Sequence, residues 1–442
     1  MNRRDFLHLS VTGAAMLPSL ELLGAVSQNG VAPSDRIRIG VIGTGNRGNE
    51  VTQSWLKHAD STVVAICDVA KDRLENTAGR LATAGQKVDT YEDYRRILDR
   101  QDVDAVLIAT PDHWHSAMTI DAIAAGKDVY CEKPVSNEIE PAVKMLEAAR
   151  RSNRIVQIGL QQRSWAHYMD AATLFMEGVV GTPNHVVMAP PGLGVFGGTQ
   201  QQPLVPQLPP ATLNWEMYQG PAPRTPFVPQ RLAWRNWYAY GGGNITDWGV
   251  HLADVMNWYL NLDETAPELV HTSSQYVLTP HNPERVPDTY VATMQYGTVV
   301  ATLSNTGLFG PDNEPLWGNY FFGDRALMFV NRSGYEVRPR PVPAGRGRGA
   351  GSGVPAAPPA PQPAPAKAVK FGFAGPGELD QPGATAAHIR NFLDCVRSRQ
   401  RPRADISIGF HSTLPTLLAL ESIKAGGRAI KWDAKAKRAS VV

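Results

Sequence analysis

The hexapeptide Gly43-Thr44-Gly45-Asn46-Arg47-Gly48 follows a β-branched run and opens a helical pattern. Residue types in that order bring backbone N–H groups of a helix N-terminus against a pyrophosphate. Gly43 makes the tight turn, Gly45 lets the backbone approach phosphate, and Gly48 allows close helix–sheet packing. Asp68 stands twenty residues past the last of these glycines, at the end of the next apolar run. A carboxylate there accepts hydrogen bonds from the adenosine ribose hydroxyls and repels a 2′-phosphate. Loop and Asp68 together predict NAD as cofactor, with NADP disfavoured, although Arg47 in the loop could hold a phosphate.

A second group lies in the other half of the chain. Asp247 and His251 are four residues apart in a helical pattern and so share a face. A carboxylate and an imidazole on one face can bind vicinal hydroxyls of a sugar and relay a proton. The structural alternative is that Asp247 complements a helix N-terminus and His251 is a hydrogen-bonded core residue. Asp254 falls on the same face and could orient the His251 ring. Just upstream, Trp234-Arg235-Asn236-Trp237-Tyr238-Ala239-Tyr240 mixes aromatic faces with polar groups, a composition that suits a pyranose as well as it suits a core. Trp234, Trp237 and Tyr240 are the candidates for substrate contact there, joined by Gln161, Gln162 and Arg163. His113 and His115, with Cys131, raise the question of a metal. His-x-His brings both rings together only in extended chain, and neither Cys-x-x-Cys nor His-Glu-x-x-His accompanies it. No metal is expected, and His113 is assigned to substrate lining.

These residues need a scaffold, and the pattern supplies one. Strands are predicted at 37–42, 62–67, 105–109, 129–131 and 155–158, with helices at 47–58, 71–84, 91–100, 116–125 and 140–151. Such alternation means a parallel, doubly wound sheet, a Rossmann domain over 35–160. Beyond it, strands at 185–188, 270–278, 289–296, 298–305 and 326–330 with fewer helices predict an α+β domain over 161–338, built on a largely antiparallel open sheet. Residues 190–210 read as a long loop. Residues 339–368, almost only Pro, Ala, Gly and Arg, cannot bury a core and are expected to be a disordered insertion. Residues 369–442, with helices at 386–397 and 413–424, are expected to complete the second domain.

Composition sets outer bounds. Of 442 residues, 43% are apolar and 19% charged, which is globular, and a net charge of +2 gives no field to attract nucleic acid. Cys67, Cys131 and Cys395 are too few and too scattered for a disulfide framework. Arg3-Arg4-Asp5-Phe6-Leu7 is a twin-arginine pattern ahead of a modestly apolar stretch at 11–26, which Pro18 and Glu21 interrupt. That stretch is too short to sit stably in a bilayer, and no cysteine nearby offers a lipid anchor. Residues 1–34 are therefore expected to be a twin-arginine signal and linker, sending a folded protein to the periplasm or outside the cell.

Three motifs together resemble a known family. Thr110-Pro111-Asp112-His113-Trp114-His115, then Gly126-Lys127-Asp128-Val129-Tyr130-Cys131-Glu132-Lys133-Pro134, then Gly241-Gly242-Gly243-Asn244-Ile245-Thr246-Asp247-Trp248-Gly249-Val250-His251, resemble the signatures of the Gfo/Idh/MocA enzymes, which include glucose–fructose oxidoreductase and inositol dehydrogenase. The resemblance implies that Lys133 stands beside the nicotinamide as acid/base or electrostatic partner of the hydroxyl being oxidised. It also implies that Asp247 and His251 lie in the substrate pocket near that lysine, and that Thr110, Pro111, His115 and Glu132 border the cofactor. Independently of the family, oxidising a secondary alcohol requires a group to take its proton, and a lysine desolvated beside a cationic ring can do so.

The expected function is an exported NAD-dependent oxidoreductase, with a tightly bound cofactor, acting on a sugar or polyol, as a homo-oligomer formed through the C-terminal sheet. One alternative is a redox-neutral NAD-dependent glycosidase or lyase. In that chemistry a transient keto-sugar acidifies the neighbouring C–H, the glycosidic bond is eliminated, and the hydride returns. The other is a non-catalytic sugar or nucleotide sensor on the same fold.

Overall fold

In the computed structural model, the residues described are 35–192, 203–305, 317–340, 368–370 and 383–442. Residues 1–34, where a twin-arginine signal is expected, and most of the Pro/Ala/Gly-rich stretch at 339–368 lie outside them.

The first sheet has six strands: β1 (Ile37–Ile42), β2 (Ser61–Cys67), β3 (Asp89–Tyr91), β4 (Ala105–Ile108), β5 (Asp128–Cys131) and β6 (Val156–Ile158). Their order is β3-β2-β1-β4-β5-β6, and every pairing is parallel. Helices α1 (Asn46–Trp55), α2 (Lys71–Thr83), α3 (Arg95–Leu98), α4 (Asp112–Ala124) and α5 (Ile139–Arg150) make the crossovers. A parallel strand covered on both faces must be apolar on both, and β4 is buried at all four positions. Ile39 and Val41 pack with Val51 and Trp55 on one side, while Val106 and Ile108 pack with Met118 and Ala122 on the other.

A second sheet follows helix α6 (Ala166–Met176). Its strands are β7 (Pro183–Ala189), β8 (Leu269–Gln275), β9 (Thr289–Tyr296), β10 (Val299–Ser304), β11 (Gly318–Gly323), β12 (Ala326–Asn331), β13 (Gly334–Pro339), β14 (Ala368–Lys370), β15 (Ile430–Asp433) and β16 (Arg438–Val441). The order is β14-β13-β12-β11-β7-β10-β9-β8-β15-β16, antiparallel except where β7 meets β10. Two short helices, α7 (Trp215–Gln219) and α8 (Gly243–Asp247), and then α9 (Gly249–Tyr259) lie between β7 and β8. α10 (Ala384–Ser398) and α11 (Ile406–Lys424) come before β15. Strand β9 alternates buried and exposed positions, so the sheet has one covered face. That face packs Ala292, Met294, Ala301 and Leu303 against Leu252 and Met256 of α9 and Leu414 and Leu418 of α11.

The closing helices differ from the pattern-based expectation in two ways. Helix α11 starts at Ile406, two turns early, because Asp405 caps it by accepting from the Ile408 N–H at 3.0 Å. Helix α10 belongs with the first sheet: Phe392 meets Trp55 at 5.7 Å and Tyr130 at 5.9 Å, edge to face, and His388 Nε2 reaches the Ile158 carbonyl at 2.9 Å. The chain returns from the second domain to close the first.

Candidate active site

The glycine loop joins β1 to α1 where the strand order reverses, between β1 and β4, the position at which open α/β sheets bind ligands. Gly43 sits at φ +92°, a backbone that L side chains rarely adopt, and a Cβ on Gly48 would stand 2.0 Å from the Gly43 oxygen. Gly45 begins α1 with no side-chain cap, so the helix end remains open to a ligand. Asp68 braces the loop. Its Oδ2 accepts from the Thr44 N–H at 2.7 Å and from Thr44 Oγ1 at 3.0 Å, and its Oδ1 accepts from the Ala70 N–H at 2.9 Å. Arg47 turns from Asp68 to the end of β5, where Nε donates to Glu132 at 2.9 Å and Nη1 to Glu50 at 3.3 Å.

The turns after β4 and β5 are held together by His115. Its Nδ1 lies 2.6 Å from the Pro134 carbonyl and its Nε2 3.0 Å from that of Thr110. Both ring nitrogens face backbone carbonyls and the one that carries the proton donates, which makes His115 a positioning residue for Thr110-Pro111 and Lys133-Pro134. Lys133 leaves this junction and crosses to α8, donating from Nζ to Asp247 Oδ1 at 2.9 Å and to the Asp247 carbonyl at 3.0 Å. Arg235 Nε donates to the same Oδ1 at 2.9 Å, and its guanidinium lies 4.2 Å over the Trp234 ring. Burial pushes the Asp247 carboxyl up, but the Lys133 and Arg235 charges outweigh it and hold the group far below the ordinary carboxylate range.

His251 lies one helical turn further on, 4% exposed, with its ring 5.9 Å from Trp248. Burial, then the charges of Lys133 and Arg332, hold its pKa well below the imidazole range, so it is neutral. Its Nδ1 has no hydrogen-bond partner among the described residues. Arg332, in the turn between β12 and β13, stacks 4.4 Å over the Trp248 ring, and burial lowers its pKa to about 10. Arg235, Arg332 and Asp112 also line the site, and motif spacing assigned none of them a role.

Other candidates are placed elsewhere. Arg163 faces a buried ion cluster, with Nε on Asp254 Oδ1 at 2.8 Å and Nη1 on Asp263 Oδ2 at 2.9 Å. Ser412 also donates to Asp254, at 2.9 Å, so that carboxylate is committed to Arg163 rather than to the His251 ring. Trp237 is fully buried, donates to the Gln230 carbonyl at 3.1 Å, and is covered by Arg231 and Arg285. Tyr240 packs in an aromatic cluster with Trp215, Tyr218 and Phe227. His113 points at the Tyr218 carbonyl, 3.0 Å away, and packs on Tyr240. Of the aromatic side chains in that stretch, Trp234 alone lines the cavity described below, beside Arg235, and the chain then sends Trp237 and Tyr240 into their own core. Gln161 lines that cavity too, whereas Gln162 donates to the Tyr168 hydroxyl at 2.6 Å.

One cavity of about 960 Å³ joins the two groups, running from Gly43, Gly45 and Asp68 to Lys133, Asp247 and His251. A strap from the second domain crosses it. Leu213 bridges to Ala70, the Lys71 N–H donates to the Thr212 carbonyl at 2.7 Å, and the Asn214 N–H donates to that of Val69 at 2.9 Å. On the far side Trp114 Nε1 and His113 Nε2 both reach the Tyr218 carbonyl at 3.0 Å. The lining suits a dinucleotide and a hydroxylated ligand. The Thr110 hydroxyl, Gln161 Oε1, Arg47 Nη2 and His251 Nδ1 are buried polar atoms on its wall with no partner among the described residues. Over Gly45 a Cβ would meet only the tip of Arg73, at 3.4 Å. Gly43, Thr44, Gly45, Asn46 and Gly48 would hold the phosphates and Asp68 the ribose.

Comparison with known proteins agrees with this geometry. A family described as "Oxidoreductase family, NAD-binding Rossmann fold" matches residues 37–160, and its companion, "Oxidoreductase family, C-terminal alpha/beta domain", matches residues 169–283. Inositol 2-dehydrogenase 3 of Saccharopolyspora erythraea is 34% identical over 149 residues, 33% of this chain and 43% of that protein. A glycosyl hydrolase family 109 protein of Streptomyces coelicolor is 33% identical over 123 residues, 27% of this chain and 26% of that protein. The chain thus matches less than half the length of these curated relatives. Among solved structures, levoglucosan dehydrogenase in complex with NADH and levoglucosan covers 90% of this chain and 99% of its own, with a TM-score of 0.62 at 17% identity, a likeness of fold.

Proposed function

We propose a function that starts from family membership: the chain belongs to the Gfo/Idh/MocA oxidoreductases and carries their NAD-binding Rossmann domain. The reading is that it moves a hydride between NAD and a secondary hydroxyl of a sugar or polyol. The observation that carries it is the single cavity linking the Gly43–Gly48 loop to Lys133, Asp247 and His251. Bound NAD supplies the hydride chemistry, and the chain's own residues handle the oxygen and its proton. Asp247, pinned by Arg235, holds the Lys133 ammonium in place, and that ammonium anchors the reacting oxygen. His251, neutral and unpartnered at Nδ1, takes the hydroxyl proton in the oxidising direction and returns it in the reverse one.

The strap over the cavity supports a second element, a cofactor that stays bound through turnover. A resident cofactor also keeps the redox-neutral glycosidase or lyase reading in play, and the match to a family 109 glycosyl hydrolase favours it further. The test is to incubate purified protein with myo-inositol, levoglucosan and a panel of aryl glycosides, following NADH absorbance and products together. NADH formed in step with a keto product supports net oxidation. Glycoside cleavage without NADH supports the redox-neutral reading. No reaction and no reduction of bound cofactor on any of them would return the sensor reading to the front.

Two further parts of the proposal concern context. Arg3-Arg4 and the apolar stretch behind it direct export by the twin-arginine route. Replacing both arginines with lysine should leave folded protein in the cytoplasm, and export of that variant would refute the route. The open face of the second sheet carries exposed Val291 and Val300, 39% and 47% accessible, and is the surface proposed to join copies into a homo-oligomer. Light scattering that returns a monomer mass would remove that element. No helix among the described residues is long and apolar enough to cross a membrane.

A further inference from the structure

Asp112 is the first residue of α4, directly after the Thr110-Pro111 turn, and it is 2% exposed. An acidic residue in the first turn of a helix ordinarily accepts from the free N–H groups there. Here that work is done by others. The His113 N–H donates to the Tyr240 carbonyl at 3.3 Å and the Trp114 N–H to that of Pro111 at 3.1 Å. The Asp112 carboxyl makes no hydrogen bond and no ion pair with any described residue, although it lines the same cavity as Lys133 and Asp247. A buried carboxyl without a protein partner is costly, and such groups in a cleft are a mark of a site completed by ligand.

We propose that Asp112 is a substrate-facing residue whose carboxyl group hydrogen-bonds a hydroxyl of the sugar or polyol beside the carbon served by Lys133 and His251. The inference rests on the sugar/polyol reading and adds a residue to it. The charged surroundings are mixed. Lys133 and Glu132 face it from the turn after β5, Arg235 from the aromatic turn, Asp247 from α8, and His113 and His115 lie on its own helix. Burial is the dominant influence on its acidity and keeps the proton on, reinforced by Asp247 and Glu132 and opposed by Arg235 and Lys133. Because Lys133 and Arg235 are already committed to Asp247, neither closes on Asp112. A neutral acid is both donor and acceptor, which matches a hydroxyl better than an ionised carboxylate does.

The sign of the pH effect follows. Substrate binding that uses the Asp112 proton is intact at neutral pH and is lost as pH rises through the raised pKa, giving an alkaline limb in kcat/KM. Asp112→Asn keeps a donor and an acceptor in the same shape but cannot titrate. With myo-inositol and levoglucosan as probes, Asp112→Asn should keep KM within about threefold and lose the alkaline limb. Asp112→Ala should raise KM by about tenfold, the scale of one hydrogen bond. An unchanged limb in Asp112→Asn, or an unchanged KM in Asp112→Ala, overturns the proposal.

A readout independent of turnover separates this from failure of the enzyme reading. The infrared difference between native protein and Asp112→Asn at pH 7, with NAD bound, should show a protonated-carboxyl band that shifts when either polyol is added. Absence of that band, or a band indifferent to both polyols, overturns the proposal even if neither polyol reacts.

Discussion

At the Gly43 end of the cavity the working groups are backbone, and the side chains around them brace them: Thr44 and Ala70 hold Asp68 in place, and Glu132 and Glu50 hold two of the three nitrogens of Arg47. At the Lys133 end the working groups are side chains drawn from four separate stretches, and among the described residues the Asp112 carboxyl and His251 Nδ1 have no hydrogen-bond partner. Asp112 comes from α4, Lys133 from the β5 turn, Asp247 and His251 from α8 and α9, and Arg332 from between β12 and β13. The contrast follows from the tasks. A pyrophosphate is the same in every reaction, so a fixed cradle of N–H groups serves it. A reacting hydroxyl changes its charge and protonation, so it needs groups whose own charge is poised by burial and by neighbours. Damage at one end should therefore weaken cofactor binding, and damage at the other should spoil chemistry while cofactor binding survives.

The largest effect expected is at the second end. Lys133→Ala removes the ammonium proposed to anchor the reacting oxygen, yet leaves Asp247 paired with Arg235, so the fold should hold. Turnover should fall by about 10²-fold or more, with NAD affinity within about twofold of native by calorimetry. A parallel loss of NAD binding would break the separation between the two ends.

Next in size is the mirror experiment, Gly48→Ala. The added Cβ would lie 2.0 Å from a backbone oxygen, so the loop and α1 must part. Overpacking of this kind costs about 1–3 kcal/mol, so NAD affinity should drop by roughly tenfold or more. Turnover at saturating NAD should change far less. If kcat falls instead and the affinity for NAD is kept, the two ends are not independent.

Asp68→Ala should give a smaller change, of about tenfold, in the preference for NAD over NADP, measured by titrating both against intrinsic fluorescence. Arg47 does not offset Asp68, because its guanidinium is held by Glu132 and Glu50. The same substitution deletes three hydrogen bonds to Thr44 and Ala70, so a lower melting temperature should accompany the narrower preference. Equal affinity of the native protein for the two cofactors would break the NAD assignment.

The same contrast explains what could be read from residues alone. The cradle was legible because its parts are contiguous and each has a local backbone reason, a strand, a positive φ and a helix start. Lys133 and Asp247 were legible because short motifs carry them. Arg332 was not, since its role arises only when β12 and β13 bring their turn over Trp248. Asp112 was hidden inside a motif, because an acidic residue at a helix start has an ordinary use that here falls to carbonyls. Trp237, Tyr240 and Arg163 were assigned to the pocket on composition, and composition does not distinguish an aromatic wall from an aromatic core. On α9 nearly every position is buried, so the face that Asp254 shares with His251 did not fix its partner, which is Arg163. Strands β11 and β13 were missed for a related reason: Gly318 and Gly323 bound the first, and Arg338 and Pro339 end the second, so neither reads as a strand.

The smallest effect expected lies on the link between the two ends. His113 ties α4 to the strap through the Tyr218 carbonyl, and burial lowers its pKa from 6.5 to about 4. The unfolded chain therefore takes up a proton near pH 6.5 that the folded one refuses. Stability from this residue is complete above pH 6.5 and is lost progressively as pH falls toward 4. Between pH 7.5 and 5.5 the loss amounts to about 1 kcal/mol, on the order of 1–2 °C in melting temperature for a chain of this size. His113→Gln can still donate to Tyr218 but cannot titrate, so its melting temperature should fall less steeply over that interval than that of native protein. The other buried histidines, His388 among them at about 4, contribute equally to both proteins and cancel in the comparison. Parallel melting curves would mean that His113 gains its proton without leaving the strap. The tie between α4 and the strap would then hold at both pH values, through His113 as well as Trp114.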